Sequence, residues 1–194
     1  MSFCLSPMSQ PASPSLRFWL REATRPLHEA VDAAFSAYRI ADGSDYPAFL
    51  QAHAAALLPI EQWLEEQEVE RLAPDWAQRR RSGALQADLA GLRSAAPAPI
   101  AWAGAADDAA LWGTLYVLEG SRMGARFLAR QVPAGLPTGY LRHGEAEPLW
   151  PRFVQWLDAA DAGLDRAAVG AAAERTFAAF MQAGRRHAPP QAQA

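Results

Sequence analysis

Apolar residues recur along most of the chain at spacings of three and four, the period of an α-helix, whereas the alternation typical of a β-strand is scarcely visible. The pattern stops at Gly43, and Ser44 or Asp45 can cap the helix that follows. The clearest stripe predicts a first helix over residues 16–38, and its apolar members are Leu16, Leu20, Ala23, Leu27, Ala30, Val31 and Ala34.

The remaining periodic segments predict five more helices, over residues 45–71, 79–93, 105–131, 148–161 and 165–185. A Pro/Ala-rich loop at 94–106 and a Gly/Pro-rich surface loop at 133–147 are expected between them. The expected fold is therefore all-α. It consists of one compact multi-helical domain over residues 16–186, with a disordered leader at 1–15 and a flexible tail at 187–194.

The composition limits the protein to a few classes. The chain has 194 residues, 51% of them hydrophobic, which is enough for one buried core and too few for two comfortable domains. A net charge of −3 does not attract nucleic acid or an anionic membrane, and no apolar run is long enough to span a bilayer. Cys4 is the single cysteine, so an internal disulfide is impossible. These features favour a cytoplasmic protein with no nucleic-acid or membrane partner.

One histidine lies within the first predicted helix, where it could bind a metal. Asp32 follows His28 by four residues, so its carboxylate lies on the same face and can accept the free N–H of the ring. Arg21 precedes His28 by two turns, about 10 Å along the helix, and could reach an anionic group there. A lone helical histidine is more often an ordinary core or surface residue, and that interpretation stays open.

The surroundings of His28 restrict which metal group it could hold. No second histidine, cysteine or acidic cluster stands at zinc-binding spacing with it. A metal site with one protein histidine needs a cofactor that brings its remaining ligands, and heme is such a cofactor. On this hypothesis the opposite face of the iron is left open.

The fourth predicted helix is apolar, yet it contains glycine at positions 113, 120 and 124. Each glycine inside a helix costs about 1 kcal/mol relative to alanine, which suggests that something approaches the backbone closely. Tyr116, Gly120 and Gly124 stand four residues apart and form one line, against which a flat ring could lie. Close packing against another helix explains these glycines without any ligand and is the simpler interpretation.

Two motifs together resemble the heme oxygenase family, in particular bacterial members associated with bacteriophytochromes. The first is Leu20-Arg21-x-Ala23-Thr24-x-x-x-His28, which is similar to the proximal helix of that family. The second is Leu115-Tyr116-Val117-Leu118-Glu119-Gly120-Ser121-x-x-Gly124, which is similar to its kinked distal helix. The resemblance extends over residues 16–182 and implies the heme oxygenase-like fold.

The resemblance also implies a reaction. Heme b would be both substrate and cofactor, and O2 would open it at a meso carbon to biliverdin, carbon monoxide and ferrous iron. The electrons would come from an external reductase, ferredoxin or flavodoxin, because the chain has no dinucleotide fingerprint and no cysteines for an iron–sulfur cluster. A bacteriophytochrome is one candidate recipient of the biliverdin, and release of iron for metabolism is the alternative use.

Carried over position by position, the family's motifs imply a role for four residues around the imidazole and the ring edge. His28 would be the proximal ligand of the heme iron. Asp32 stands where the family often has a carboxylate that bonds the ligand histidine. Arg21 and Tyr116 stand where family members contact the heme propionates.

The same comparison implies the residues of the opposite, distal side. Gly120 and Gly124 match the glycines whose backbone lies over the iron, and Phe177 resembles an aromatic residue that walls the distal pocket. Ser121 stands where some members have an acidic residue that organises water. We therefore expect water held by the Gly120 carbonyl and by Ser121 to deliver the proton that the reaction needs.

Partner surfaces and rival functions complete the expectations. Arg122, Arg126 and Arg130 could form a surface that attracts an acidic redox donor protein, although such arginines usually form an ordinary solvated face. A heme carrier or sensor of the same fold without turnover is the first alternative function. A helical domain that acts on another small molecule and a ligand-free interaction domain are the others.

Overall fold

The structure is a computed structural model that describes residues 14–190. Within that range all regular structure is helical, which confirms the predicted all-α class. No helix in this range is long and apolar enough to cross a membrane. The predicted leader, 1–15, lies outside the described residues except for its last two, and so do residues 191–194 of the predicted tail. The helices are α1 (Leu16–Ser36), α2 (Tyr46–Glu66), α3 (Trp76–Arg79), α4 (Ser82–Gly91), α5 (Asp108–Ala129), α6 (Gly139–Arg142), α7 (Leu149–Ala160) and α8 (Arg166–Arg186).

Two predicted helices are shorter than expected because the backbone leaves the helical region. The helix predicted at 45–71 ends at Glu66, because Glu68 adopts a left-handed conformation with φ 55°, and Val69–Arg71 forms a separate 3-10 turn. The helix predicted at 79–93 begins only at Ser82, as α4, because Arg80 is extended with ψ 134° and separates it from the unpredicted short helix α3. Apolar periodicity does not detect breaks of this kind, since a single residue outside the helical region causes each one.

The segment expected to be a surface loop at 133–147 contains α6, and that expectation was wrong in this part. Tyr140 and Leu141 are buried in the core. The buried carboxylate of Asp88 accepts hydrogen bonds from the backbone N–H of Gly139 at 3.1 Å and of Tyr140 at 2.8 Å. These bonds satisfy the free N–H groups at the start of α6, a task that a sequence-distant residue performs here.

Helix α8 is the centre of the domain, because α5, α1 and α2 all pack against it. Its inner face combines small residues with phenylalanines, so neighbouring helices can approach closely. The closest approach is at Gly113 of α5. A β-carbon placed there would lie 2.2 Å from the Val169 carbonyl oxygen and 2.7 Å from the Ala172 β-carbon. Gly113 is therefore a helix-packing glycine.

Replacing Gly113 by alanine should destabilise the protein, because the α5 and α8 backbones must then move apart. We expect a loss of about 1–3 kcal/mol in the free energy of unfolding. Gly124→Ala in the same helix is the matched control, since no atom lies within 4 Å of the added methyl group, and it should be neutral or stabilising by up to about 1 kcal/mol. Urea unfolding measures both, and equal effects would contradict the assignment.

His53 lies on α2 inside a group of four aromatic rings. The ring centroids of Phe35 and Phe49 lie 4.4 and 4.3 Å from that of the imidazole, and those of Tyr140 and Phe180 lie 5.5 and 6.0 Å away. His53 Nδ1 lies 3.0 Å from the Phe49 carbonyl oxygen, so Nδ1 carries the proton of the neutral ring. Burial lowers the pKa of His53 to about 4.

This lowered pKa makes stability depend on pH. The ring is neutral in the folded protein and titrates near 6.5 when unfolded, so protons favour the unfolded chain as the pH falls from about 6.5 towards 4. Wild type should lose about 1–2 kcal/mol more stability than His53→Gln between pH 7 and pH 5. Urea unfolding at the two pH values measures this difference, and an identical pH dependence of the two proteins would refute it.

Candidate functional site

One face of α1 carries polar residues at spacings of four, three and four: Arg17, Arg21, Thr24 and His28. Thr24 is buried, and its hydroxyl donates to the Leu20 carbonyl at 2.8 Å. The other three side chains are half-buried or exposed. This face therefore offers cationic groups near the start of α1 and an imidazole one turn beyond Thr24.

The partnership predicted between His28 and Asp32 is present. His28 Nδ1 lies 3.2 Å from an Asp32 carboxylate oxygen, and the two side chains are 62% and 68% exposed. A carboxylate only accepts, so Nδ1 carries the proton and the lone pair of a neutral ring lies on Nε2, where a metal can bind. The Phe177 ring meets the imidazole edge-on, with centroids 5.9 Å apart. The resemblance did not predict this contact with the histidine side of the site.

Tyr116 of α5 approaches the same face of α1. Burial raises the pKa of Tyr116, while a hydrogen bond with Thr24 and the charges of Arg21 and Arg17 lower it in part. The structure therefore brings Arg21 and Tyr116 together, as expected for two groups that hold one anionic edge. It adds Arg17, whose buried Nε has no partner among the described residues.

The contacts with α8 set the relative direction of α1 and α5. Trp19 of α1 packs on Gly170 of α8, and Gly113 of α5 packs on the adjoining turn. A few residues later along both helices, Thr24 and Tyr116 meet. Helices α1 and α5 therefore run in the same direction past the contact between Thr24 and Tyr116. His28 lies about one turn after Thr24, and Gly120 lies about one turn after Tyr116. Helix α8 packs against both helices.

The open face of α5 continues past Tyr116 in a stripe that includes Gly120, Met123, Gly124 and Phe127. No atom lies within 4 Å of a β-carbon built on Gly124, and the nearest neighbour at Gly120 is the Trp150 ring at 3.8 Å. Met123 is 57% and Phe127 65% exposed. Helix packing therefore accounts for Gly113, and it does not account for Gly120 or Gly124.

The hydroxyl of Ser121 is already engaged. It donates to the Leu118 carbonyl at 2.7 Å and accepts a hydrogen bond from Arg81 Nη1 at 3.1 Å. Because a hydroxyl has a single proton, Ser121 in this arrangement can accept from a further molecule but cannot donate to it. Ser121 can therefore hold a water molecule only by accepting a hydrogen bond from it.

The three arginines that were expected to form a surface for a redox donor do not all lie on the surface. Arg122 is 6% exposed, and its guanidinium forms an ion pair with Glu119 at 2.8 Å, so the expectation that it is a surface residue was wrong. Arg126 and Arg130 are exposed. The i, i+4 spacing of these residues predicted one solvated face, but Arg122 pairs with Glu119 one turn earlier and also donates to the distant Arg79 and His143 carbonyls.

Sequence reasoning missed three residues of this region: Arg17, Arg81 and Trp150. The spacing of Arg17 to Arg21 was available as a signal, because both lie on the His28 face of α1. The other two lie next to α4 and on α7, and no local pattern connects them to α5. Residues 14–190 contain no group of three His, Cys, Asp or Glu side chains that could hold a metal, so His28 is a single donor here.

Comparisons with known proteins identify the family of the chain. No family model matches the sequence. A heme oxygenase of Xanthomonas campestris pv. campestris (strain 8004) is 33% identical over 150 residues, which cover 72% of this chain and 88% of that protein. The NO- and CO-bound heme oxygenase from Neisseria meningitidis shares the fold, with a TM-score of 0.70 and 19% identity over 92% of this chain and 98% of that one. At this level of identity and coverage to the first relative, the chain belongs to the heme oxygenase family.

Proposed function

We propose that this protein binds heme b between α1 and α5, with His28 Nε2 on the iron, and cleaves the ring oxidatively to biliverdin, carbon monoxide and ferrous iron. The observation that carries the proposal is the imidazole whose tautomer Asp32 orients, on a helix that runs beside open glycines. O2 and electrons are consumed, and a separate redox protein, a ferredoxin, flavodoxin or reductase, supplies the electrons.

The residues near the start of α1 are suited to bind the propionate edge of heme, in addition to the histidine that is suited to bind its iron. Heme is a flat, apolar ring with two propionates at one edge, and Arg17, Arg21 and Tyr116 lie together near the point where α1 and α5 meet. Guanidinium groups bind carboxylates through paired hydrogen bonds, and the unpartnered Nε of Arg17 is available for one. These groups orient the ring, so that a fixed part of its rim faces the interior of the protein.

The open stripe of α5 fits the other face of the ring. Bound heme supplies the iron that binds O2 and the ring that is oxidised, while the chain positions both. Gly120 and Gly124 have no side chains, so the α5 backbone can lie low over the iron and restrict the space available to O2. Met123 and Phe127 add apolar surface that a ring covers. A heme carrier has no need of two such open glycines, which favours turnover.

The proton for the reaction can come through water held at α5. The Gly120 carbonyl and the remaining acceptor capacity of Ser121 provide two oxygen atoms that orient a water molecule near the distal face. No side-chain acid is required at this position. The biliverdin that is released is a suitable chromophore for a bacteriophytochrome, which is one candidate recipient.

Hemin added to the purified protein should give the Soret band of a histidine-ligated heme, and a reductase system with O2 should then convert it to a bile-pigment spectrum. His28→Ala removes the iron ligand, so we expect hemin affinity to fall by about tenfold or more. Added imidazole should restore the ligation band. Titration of the Soret absorbance measures both effects.

His187→Ala provides the control for the removal of a histidine, because His187 lies ten residues beyond Phe177, about 15 Å along the α8 axis. It should bind and convert hemin like wild type. Unaltered turnover in His28→Ala would contradict the ligand assignment. A Soret band without conversion in wild type would support the carrier function instead.

Gly120→Leu should place a side chain over the iron and either block O2 or move the site of cleavage. The variant should fold, because the nearest atom to the new β-carbon is 3.8 Å away in the Trp150 ring. Gly83→Leu on α4 is the control, since no atom lies within 4 Å of a β-carbon built there and α4 lies outside the proposed site. Chromatography of the biliverdin isomers and the turnover rate give the result, and an unchanged isomer pattern at an unchanged rate would remove Gly120 from the distal wall.

A further inference from the structure

Buried charges are concentrated behind the turn of α5 that contains Gly120. Arg79 and Glu119 are each 1% exposed and Arg122 is 6% exposed. The Glu119 carboxylate accepts from Arg79 Nη1 and from Arg122 through Nε at 3.0 Å and Nη2 at 2.8 Å. Arg122 Nη2 also donates to the Arg79 carbonyl at 2.6 Å. Side-chain and backbone bonds therefore tie the end of α3 to this turn of α5.

Arg81 also binds this turn of α5, and its own backbone is held in place by a carboxylate. Its guanidinium donates to the Leu118 carbonyl at 3.1 Å and to the Ser121 hydroxyl at 3.1 Å, and the residue is 2% exposed. The backbone N–H groups of Arg81 and Ser82 donate to the buried Glu61 carboxylate at 2.8 Å each. Glu61 on α2 thus anchors the backbone from which the Arg81 side chain reaches α5.

These bonds surround Gly120 without touching it. Leu118, Glu119, Ser121 and Arg122 are all bonded to the arginines at positions 79 and 81. Gly120 lies between them, and the nearest neighbour of a β-carbon built on it is the Trp150 ring at 3.8 Å. The Leu118 carbonyl accepts from both Arg81 and Ser121, and side-chain donors at a helix carbonyl are a recognised cause of local bending. The hydrogen bonds from Arg81 and Ser121 therefore influence the local bend of α5 at the turn that contains Gly120.

We infer that Arg81 is a positioning residue that sets how closely the Gly120 turn lies to the bound heme ring, and thereby which rim carbon is left open to oxygen. The inference rests on the proposed function and deepens it. Only a rigid wall can discriminate between rim carbons that differ by small displacements, and shifts of about 1 Å in a reacting geometry are costly. Arg81 does not touch the ring. It acts through Leu118 and Ser121.

Arg81 is a better test position than Arg79. Loss of the Arg79 side chain would leave the buried Glu119 and the half-buried Asp75 short of a partner, which is strongly destabilising. In Arg81→Met the Glu61 carboxylate keeps its two backbone donors, so the variant should fold. Arg81→Lys keeps the positive charge, but an ammonium group cannot reproduce the planar fork that bridges two acceptors.

The experiment compares wild type, Arg81→Met and Arg81→Lys in three measurements: hemin affinity from the Soret band, the pH midpoint of the acid–alkaline spectral transition of the ferric hemin complex, and the isomer composition of the biliverdin. Both variants should keep hemin affinity within about threefold of wild type. Both should shift the spectral midpoint and yield a mixture of isomers. Arg175→Met, at an exposed position on α8, should match wild type in all three.

Three results would overturn the inference. An isomer composition identical to wild type in both variants would show that the turn does not depend on Arg81. A change in Arg81→Met alone would assign the effect to charge, because Arg81→Lys also lacks the fork. A loss of hemin affinity greater than about tenfold would make Arg81 a structural residue. If wild type itself binds hemin without opening it, the proposed function fails as well, which separates that outcome from the other three.

Discussion

The close contact between the backbones of α5 and α8 at Gly113 is the constraint on which the rest of the structure depends. Because α1 also packs on α8, that helix fixes the positions of both helices of the proposed site. Helices in direct contact have axes about 8–10 Å apart, and a flat ring between them needs about 3.5 Å more. Packing α1 and α5 directly together along their length would leave no room for a ring, whereas contact with a common third helix lets the two helices stand further apart.

The charged groups behind α5 perform a task that apolar packing cannot. Apolar contacts are non-directional, so they bury one side of α5 without fixing its rotation or its local bend. Arg79, Arg81 and Arg122 fix specific atoms of residues 118–122. Although burial opposes ionisation, hydrogen bonds from Arg79 and Arg152 hold the pKa of Asp75 below its usual range. All 18 basic residues of the chain are arginines, and planar forks suit such shared, buried acceptors.

The sequence predicted those features of the candidate site that depend on residues one turn apart in the same helix. The His28–Asp32 pair and the face shared by Tyr116, Gly120 and Gly124 are i, i+4 relationships, and both are present. It could not separate the packing role of Gly113 from the open positions of the other two glycines, because that difference lies in the distance to α8.

Two features that sequence reasoning missed depend on partners that are distant along the chain. The short helix α6 is held by the carboxylate of Asp88, more than fifty residues earlier. Arg122 is buried rather than exposed because its guanidinium also donates to the Arg79 carbonyl, more than forty residues earlier. On α5, by contrast, residues that the apolar pattern would place in the core are exposed. Met123 and Phe127 follow the helical period, yet the fold does not cover them. Fully burying an apolar side chain of this size contributes about 1.5–3 kcal/mol, and these two side chains are already partly covered. A ring seated on α5, as proposed, would therefore gain part of that free energy from residues that the folded chain leaves exposed.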